Sequence, residues 1–327
     1  MPTGDGYRLL TSSWIPDRIP RLWTLWAASR PSQLALVVLV YVLGVGMATA
    51  GAPVTSTGSA APEVTSRAFL ESVLVGGTAL LSVAVAIHYA NEYADYETDA
   101  LTNPTPFSGG SGALVRTGLP RSFVRSATVA ATVLASVVVG AVALTGGLPS
   151  DALAILVTIF AFGLAYSLQP IAFVRRGVGE VVNAVLGGLL LPLYGVAVVA
   201  SPRPAAALAV VPFTLVVVCN LFATHWPDRK ADAAVGKRTL AVRWSPRRLR
   251  RAYAVVAVAA GISVVALWLA DVVPDVVVLA HFTPLPFLVW GGVVLTKQRS
   301  PLPAVLAMVV LALTATVGWW WAGIGPS

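Results

Sequence analysis

The chain has 327 residues, of which 57% are hydrophobic and only 11% are charged, and its mean hydropathy is +0.80. This composition excludes a water-soluble globular enzyme, because it offers too few polar residues to cover a soluble surface. The hydrophobic content and the shortage of charge also exclude an intrinsically disordered chain. The single cysteine, Cys219, excludes a disulfide framework and a thiolate metal cluster.

Apolar stretches of about 20 residues, the length that crosses a bilayer as a helix, recur along the whole chain. Nine spans are predicted, over residues 33–50, 69–90, 123–145, 150–167, 178–200, 204–222, 252–270, 276–296 and 302–322. The predicted fold is therefore all-α, a multi-pass transmembrane helical bundle. Residues 33–327 are expected to form one transmembrane domain.

The basic residues are distributed unevenly between the two sides of such a bundle. If the N-terminus is cytoplasmic, all of the 22 Lys and Arg residues except Arg67 and Arg203 lie on or border the cytoplasmic side. The positive-inside rule then predicts a cytoplasmic N-terminus, an external C-terminus and a multi-pass protein of the cell membrane. This bias also explains the pI near 10.1, so the expected partner is the lipid bilayer and not a nucleic acid.

Residues 1–32 are predicted to be a cytoplasmic N-terminal segment. Pro16 and Pro20 interrupt it, so it lacks the apolar core of a cleavable signal. Between Arg21 and Arg30 it carries two Leu and two Trp residues, a composition that favours a short helix lying in the headgroup zone.

Acidic residues are scarce, and six of the 14 fall in two short segments at the cytoplasmic ends of predicted spans. The first segment follows the second span. If the helix continues through it, Asn91, Asp95 and Asp99 have the spacing i, i+4 and i+8 and lie on one face. Glu92 and Glu97 are expected to lie off that face, in solvent.

The second acidic segment follows the sixth span, where Asp228 and Asp232 form another i, i+4 pair. Carboxylates gathered beside a bilayer repel one another unless a cation neutralises them. Oxygen ligands without Cys or His favour Mg²⁺, which usually takes its remaining ligands from water and a substrate phosphate. A diphosphate between the two segments is therefore expected, with further neutralisation from the basic residues nearby: Arg229, Lys230, Lys237 and Arg238.

A diphosphate held in this way suits the ionisation of an allylic diphosphate, which releases pyrophosphate and leaves a carbocation. Such a cation needs a water-poor pocket with aromatic walls. Six aromatic residues lie close to the motifs in sequence, although packing is the simpler role of any one of them: Tyr89, Tyr93, Tyr96, Tyr166, Phe222 and Trp226.

Two further features near the motifs each leave two interpretations open. His225, three residues before Asp228, either accepts a phenolic proton from an acceptor or is a structural residue. The glycine-rich residues 107–112 either present backbone N–H groups to phosphate or form a capping loop without phosphate contacts.

The paired motifs resemble the aspartate signature of the UbiA superfamily of intramembrane prenyltransferases. Asn91-Glu92-x-x-Asp95-x-x-x-Asp99 is followed by Asp228-x-x-x-Asp232, in a chain with nine predicted spans. Shorter matches accompany them: Arg30-Pro31, Tyr166-Ser167 and Gly-Lys-Arg-Thr-Leu-Ala-Val-Arg at 236–243. The resemblance covers residues 30 to about 245, and the last three spans agree in hydropathy alone.

Within this superfamily, residues 107–112 and 236–243 are similar to the branch that prenylates 1,4-dihydroxy-2-naphthoate in menaquinone biosynthesis. The resemblance implies that Mg²⁺ and a polyprenyl diphosphate are bound by Asn91, Asp95, Asp99, Asp228 and Asp232. Among these it implies catalytic roles for Asp95, Asp228 and Asp232. It implies further substrate contacts from Arg116, Tyr166, Lys237 and Arg238.

The branch implies an electrophilic aromatic substitution in which the polyprenyl cation attacks a ring carbon and the ring carboxylate leaves as CO₂. Three other acceptors stay open, because they change only the second pocket: 4-hydroxybenzoate, a glycerophosphate-type lipid and a carotenoid. An ion-coupled transporter is the alternative from another class, since intramembrane acids also mark transport paths. Transporters place such acids near the bilayer midplane, whereas both motifs here lie at the ends of spans, which favours the enzyme.

Overall fold

The structure of the chain is a computed structural model that describes residues 18–51, 54–55, 63–102, 105 and 107–324. Residues 1–17 of the predicted N-terminal segment therefore lie outside the described residues. Within the described residues all regular elements are helical, apart from two isolated bridges that join Thr55 to Pro202 and Thr105 to Ser108.

In chain order the helices are α1 (Pro20–Ala28), α2 (Pro31–Thr49), α3 (Arg67–Leu101), α4 (Ala113–Thr117), α5 (Arg121–Thr145), α6 (Ser150–Ser167), a 3₁₀ turn (Phe173–Arg175), α7 (Gly179–Asn183), a π-helix (Ala184–Leu190), α8 (Leu191–Val199), α9 (Pro204–Ala209), α10 (Val211–His225), α11 (Arg229–Ala234), α12 (Leu240–Arg243), α13 (Pro246–Leu269), α14 (Asp275–Phe282), α15 (Leu285–Val294) and α16 (Leu302–Ile324). Together they provide nine helical segments, among the described residues, that are long and apolar enough to cross a membrane. The predicted all-α bundle of nine spans is confirmed.

The spans differ from their predicted bounds where polar residues or proline intervene. The second span was expected to end at residue 90, but α3 continues to Leu101 and so carries the first acidic segment as helix. The eighth span is interrupted between α14 and α15, at Thr283 and Pro284, where proline cannot donate the backbone hydrogen bond of a continuous helix.

Helices α2, α3 and α8 form a tightly packed group. A Cβ atom on Gly44 of α2 would lie 1.9 Å from the carbonyl oxygen of Pro192 in α8, so these two backbones touch directly, as small residues allow in membrane bundles. The hydroxyls of Tyr41 and Tyr194 donate hydrogen bonds to α3, at the carbonyls of Val73 (2.8 Å) and Gly76 (2.9 Å). Helix α3, which carries the first motif, is thus fixed from two sides.

Helix α1 packs against the end of the bundle at which both acidic segments lie. The Tyr89 hydroxyl donates to the Leu25 carbonyl at 3.0 Å, and the hydroxyls of Thr24 and Thr117 lie 3.0 Å apart. Arg30, with φ +54°, separates α1 from α2. The location of α1 in the headgroup zone and the boundary at residue 32 stay predictions.

Candidate functional site

The first motif lies on the last turns of α3. The side-chain amide of Asn91 donates to Asp95 Oδ2 at 3.0 Å and to Ser167 Oγ, at the end of α6, at 3.1 Å. The contact between Asn91 and Asp95 confirms that these two residues share a helix face. It also ties the first motif to the end of the fourth span.

The second motif lies in the connection between α10 and α13. Asp228 is the N-cap residue of the short helix α11, without a side-chain capping bond, and the backbone N–H of Asp232 donates to the Asp228 carbonyl at 2.9 Å. This single helical turn places the two aspartates one above the other, as their spacing predicts. Asp232 is buried and Asp228 is half-buried.

Lys237 joins the two motifs. Its Nζ lies 2.8 Å from Asp95 Oδ1 and 3.4 Å from Asp232 Oδ1, and its side chain is only 6% exposed. Burial alone would lower the pKa of Lys237, but the neighbouring Asp95 and Asp232 carboxylates raise it above its ordinary value. The ammonium group is therefore charged, and it holds residues 95 and 232 in one site.

The glycine-rich residues 107–112, here called the capping loop, close over both motifs. The backbone N–H of Gly109 donates to Asp228 Oδ2 at 3.0 Å. Gly110 has φ +73°, and a Cβ atom there would lie 1.9 Å from Asp99 Oδ2. The cavity left between the loop and the first motif is about 10 Å³, lined by Glu92, Tyr96, Asp99, Gly112, Leu114 and Val115. This is the room of about one water, so the loop lies close against the first motif.

The expectation that Glu92 lies in solvent is wrong. Glu92 is 3% exposed, because Ser111 Oγ donates to its Oε1 at 2.5 Å and Arg30 Nη2 to its Oε2 at 3.3 Å. A buried carboxylate needs such partners to offset its lost hydration. Glu92 therefore anchors the capping loop and the start of α2 to the first motif. Glu97 is exposed as expected and pairs with Arg121 at 3.4 Å.

The donor set fits Mg²⁺. Asp228 Oδ1 is buried and has no hydrogen-bond partner, and burial, reinforced by the Asp232 charge, raises the pKa of Asp228 to about 6. A divalent cation would relieve both effects. Within the described residues no three Asp, Glu, His or Cys side chains are close enough together to hold a metal ion by themselves. Proteins usually bind Mg²⁺ through one or two carboxylates, while phosphate and water supply the remaining ligands.

The other residues predicted to contact the substrate, Arg116, Tyr166 and Arg238, lie in different parts of the structure. Arg116, on α4, stacks over the indole of Trp23 at 5.1 Å, and Arg238 is exposed beside the buried Lys237. Their phosphate contacts stay predictions. Tyr166 lies within the site region, where Asp95, Glu180 and Asp232 are the acids near it.

Most of the other aromatic residues have structural partners. Arg121 stacks on Tyr93 and Tyr96, Arg229 on Trp226, and Phe222 packs against Trp244. These contacts agree with packing as their simpler role.

Sequence reasoning missed Glu180 as part of this region. Glu180, on α7, is 2% exposed and accepts hydrogen bonds from His225 and Leu240. The sequence alone could have indicated Glu180, because it is the one acid within the predicted span 178–200. An ionisable residue in a membrane span marks a functional site by default. Ser167 belongs to the Tyr166-Ser167 match, which assigned it no specific role, and its contact with Asn91 is seen only in the structure.

The comparison with protein families agrees with this geometry. The sequence profile of the UbiA prenyltransferase family matches residues 47–313, well over half of the chain. The chain belongs to the UbiA prenyltransferase family. The predicted prenyltransferase class is thereby confirmed, and the match includes every residue of both aspartate motifs. Among curated proteins, none matches this sequence significantly.

Solved structures share the fold of this UbiA family member. A UbiA homologue from Archaeoglobus fulgidus bound to DMAPP and Mg²⁺ has a TM-score of 0.65 at 15% identity, covering 92% of this chain and 99% of that chain. A UbiA homologue from the same organism bound to GPP and Mg²⁺ gives 0.62 at 15%, covering 93% and 100%. A structure from work on digeranylgeranylglyceryl phosphate synthase gives 0.60 at 14%, covering 92% and 99%. At these identities the likeness shows the common fold alone.

Proposed function

We propose that this protein transfers a polyprenyl group from an allylic diphosphate to 1,4-dihydroxy-2-naphthoate, with Mg²⁺ as its cofactor. The observation that carries the proposal is the buried Lys237 ammonium between Asp95 and Asp232, which brings both aspartate motifs to one site. The solved structures of UbiA homologues bound to DMAPP or GPP together with Mg²⁺ support the same pairing here. The naphthoate acceptor rests on the resemblance of residues 107–112 and 236–243 to that branch.

The side chains that would hold Mg²⁺ and the diphosphate are those of the two motifs: Asn91, Asp95, Asp99, Asp228 and Asp232. When bound, Mg²⁺ supplies positive charge that stabilises the departing pyrophosphate. Lys237 would donate hydrogen bonds to the same oxygens, since a buried ammonium group is a strong donor to phosphate. The capping loop keeps water away from the carbocation that ionisation leaves.

The proposed reaction balances without a redox partner. The allylic C–O bond breaks and its electron pair leaves with the diphosphate. A ring carbon of the acceptor then forms the new C–C bond, and the carboxylate on that carbon departs as CO₂, returning its electron pair to the ring. The reaction releases no net proton, so its balance requires no general base from Tyr166 or His225, which lie near the motifs.

A cytoplasmic site in the cell membrane follows from the distribution of charge. The connections at the site end carry nearly all of the basic residues, as the cytoplasmic side of a membrane protein does. Arg67 and Arg203 begin or precede α3 and α9 at the opposite end. Labelling of a single introduced cysteine at each end in intact cells tests this orientation, after Cys219 has been replaced.

The test of the function is pyrophosphate release by the purified protein in lipid vesicles, with geranylgeranyl diphosphate and Mg²⁺. The acceptors 1,4-dihydroxy-2-naphthoate, 4-hydroxybenzoate, a glycerophosphate lipid and a carotenoid are supplied in separate reactions, and mass spectrometry identifies the product. Asp95→Ala and Asp228→Ala are expected to abolish release. Asp151→Ala, which removes an exposed acid at the other end of the bundle, serves as the matched control.

The outcomes separate the alternatives. Mg²⁺-dependent release with the naphthoate alone, and a product that has lost CO₂, supports the proposal. Release with another acceptor keeps the transferase but contradicts the choice of substrate. Substrate flux into sealed vesicles without pyrophosphate release would instead identify a transporter.

A further inference from the structure

Glu180 is a buried acid that the proposed reaction does not use. It lies on α7, at the start of the fifth span, and is 2% exposed. A carboxylate in such a place costs free energy unless donors surround it. Its Oε1 atom has two of them, the backbone N–H of Leu240 at 2.5 Å and the Nδ1–H of His225 at 3.1 Å, whereas its Oε2 atom is buried without a hydrogen-bond partner.

These two donors are the two ends of the segment that carries the second motif. His225 ends α10, Leu240 begins α12, and Asp228, Asp232 and Lys237 all lie between them. One oxygen atom therefore closes residues 225–240 into a loop with fixed ends. The helix inside this loop, α11, has only six residues, which is too short to be stable through its own hydrogen bonds.

The connection that precedes Glu180 contacts the same segment at further points. Arg175 Nη1 donates to the Val235 carbonyl at 2.7 Å. Gly177, with φ +79°, lies so close that a Cβ atom there would be 2.5 Å from Arg243 Nη1. Residues 175, 177 and 180 thus contact the segment 225–243 at separate points, and the Glu180 carboxylate engages both His225 and Leu240.

We propose that Glu180 is a positioning residue, which aims Asp228, Asp232 and Lys237 at the first motif by holding both ends of segment 225–240 through one carboxylate oxygen. The inference rests on the proposed function in one respect, that these three side chains bind the diphosphate and its metal. This role depends on the length of the Glu180 side chain and not on its charge, because both donors bind the same carboxylate oxygen.

Three substitutions separate reach from charge. Glu180→Gln keeps an oxygen at the same reach and loses the charge, whereas Glu180→Asp keeps the charge and shortens the reach by one methylene. Glu180→Ala removes both. Glu71→Ala, which removes an exposed acid paired with Arg67, is the matched control.

Two readouts are needed, one of them independent of catalysis. Amide hydrogen exchange of the purified protein without ligand is expected to speed up within residues 226–240 in the Ala and Asp variants and to stay unchanged within 91–99. In the pyrophosphate assay, both variants are expected to raise KM for geranylgeranyl diphosphate about tenfold, the usual order for an outer contact of a metal site. The Gln variant is expected to stay within about threefold of the unsubstituted protein, since its amide oxygen still accepts both bonds.

Unchanged exchange in residues 226–240 of the Asp and Ala variants would overturn the proposal, whatever the activity. So would an Asp variant that retains the original KM while the Gln variant loses it, since that result assigns the role to charge. If Glu180→Ala does not fold, the comparison of Asp with Gln still decides. If the unsubstituted protein releases no pyrophosphate, the proposed function fails, but hydrogen exchange still tests the positioning role.

Discussion

The two aspartate motifs share one site but are supported in different ways. Asn91, Asp95 and Asp99 lie on α3, a helix of 35 residues that two tyrosine hydroxyls hold to its neighbours. Asp228 and Asp232 lie on or beside a helix of six residues in a connection between spans. A long helix places its side chains through its own hydrogen-bond ladder, whereas a short one depends on contacts from outside. The second motif should therefore be the more sensitive to changes remote from the aspartates.

The residue that unites the motifs should show the largest effect. Lys237→Ala removes the ammonium group that contacts Asp95 and Asp232 and leaves two partly buried carboxylates without their shared cation. We expect kcat/KM for pyrophosphate release to fall about 100-fold, the order seen when one charge-stabilising group is lost from an active site. Steady-state kinetics with geranylgeranyl diphosphate and Mg²⁺ checks this.

Lys230→Ala is the control for this prediction. Lys230 lies between the two aspartates in sequence, but its side chain is exposed, so its removal should leave kcat/KM close to its original value. Equal losses in both variants would mean that the general positive charge of the connection matters, and not the bridge between the motifs.

The capping loop provides the next largest effect. Gly110→Ala would place a methyl group 1.9 Å from Asp99 Oδ2 and at a φ of +73°, so the loop has to move away from the first motif. We expect KM for the diphosphate to rise roughly tenfold, since a 1 Å misplacement in a site costs one to two orders of magnitude. Kinetics as a function of diphosphate concentration measures it.

Gly118→Ala separates displacement from backbone strain. Gly118 has φ +66°, but a Cβ atom there has nothing within 4 Å. The Gly118→Ala substitution should lower the free energy of unfolding by about 1 kcal/mol, which a lower melting temperature would show. KM should stay unchanged. A similar KM for the Gly110→Ala and Gly118→Ala variants would mean that the capping loop does not affect diphosphate binding.

The sequence was sufficient to predict the nine spans and the shared helix faces of Asn91 with Asp95 and of Asp228 with Asp232, because each depends on local patterns. Hydropathy and length determine a span, and an i, i+4 spacing determines a shared face of a helix. The continuation of α3 through Asn91 and Asp99 follows from the same periodicity, since no proline or glycine interrupts residues 91–99.

The supporting contacts could not be predicted, because each joins residues far apart in sequence. Glu92 is buried through Arg30 and Ser111, and neither is within helical reach of it. The burial of Lys237, beside the exposed Arg238, depends on the meeting of α3 with the 225–240 segment. Spacing along the chain carries no information on which of two adjacent basic residues points inward.

The smallest effect should come from a contact that supports the first motif. Ser167→Ala removes the hydroxyl that accepts a hydrogen bond from Asn91 Nδ2, while the bond from Asn91 to Asp95 remains. Because α3 already places Asn91, we expect a loss of about 1 kcal/mol, or roughly fivefold in kcat/KM. Ser136→Ala, at an exposed serine bonded within its own helix, should show none. A Ser167→Ala loss as large as that of Glu180→Ala would mean that the first motif also depends on contacts outside its helix, and the contrast between the motifs would not hold.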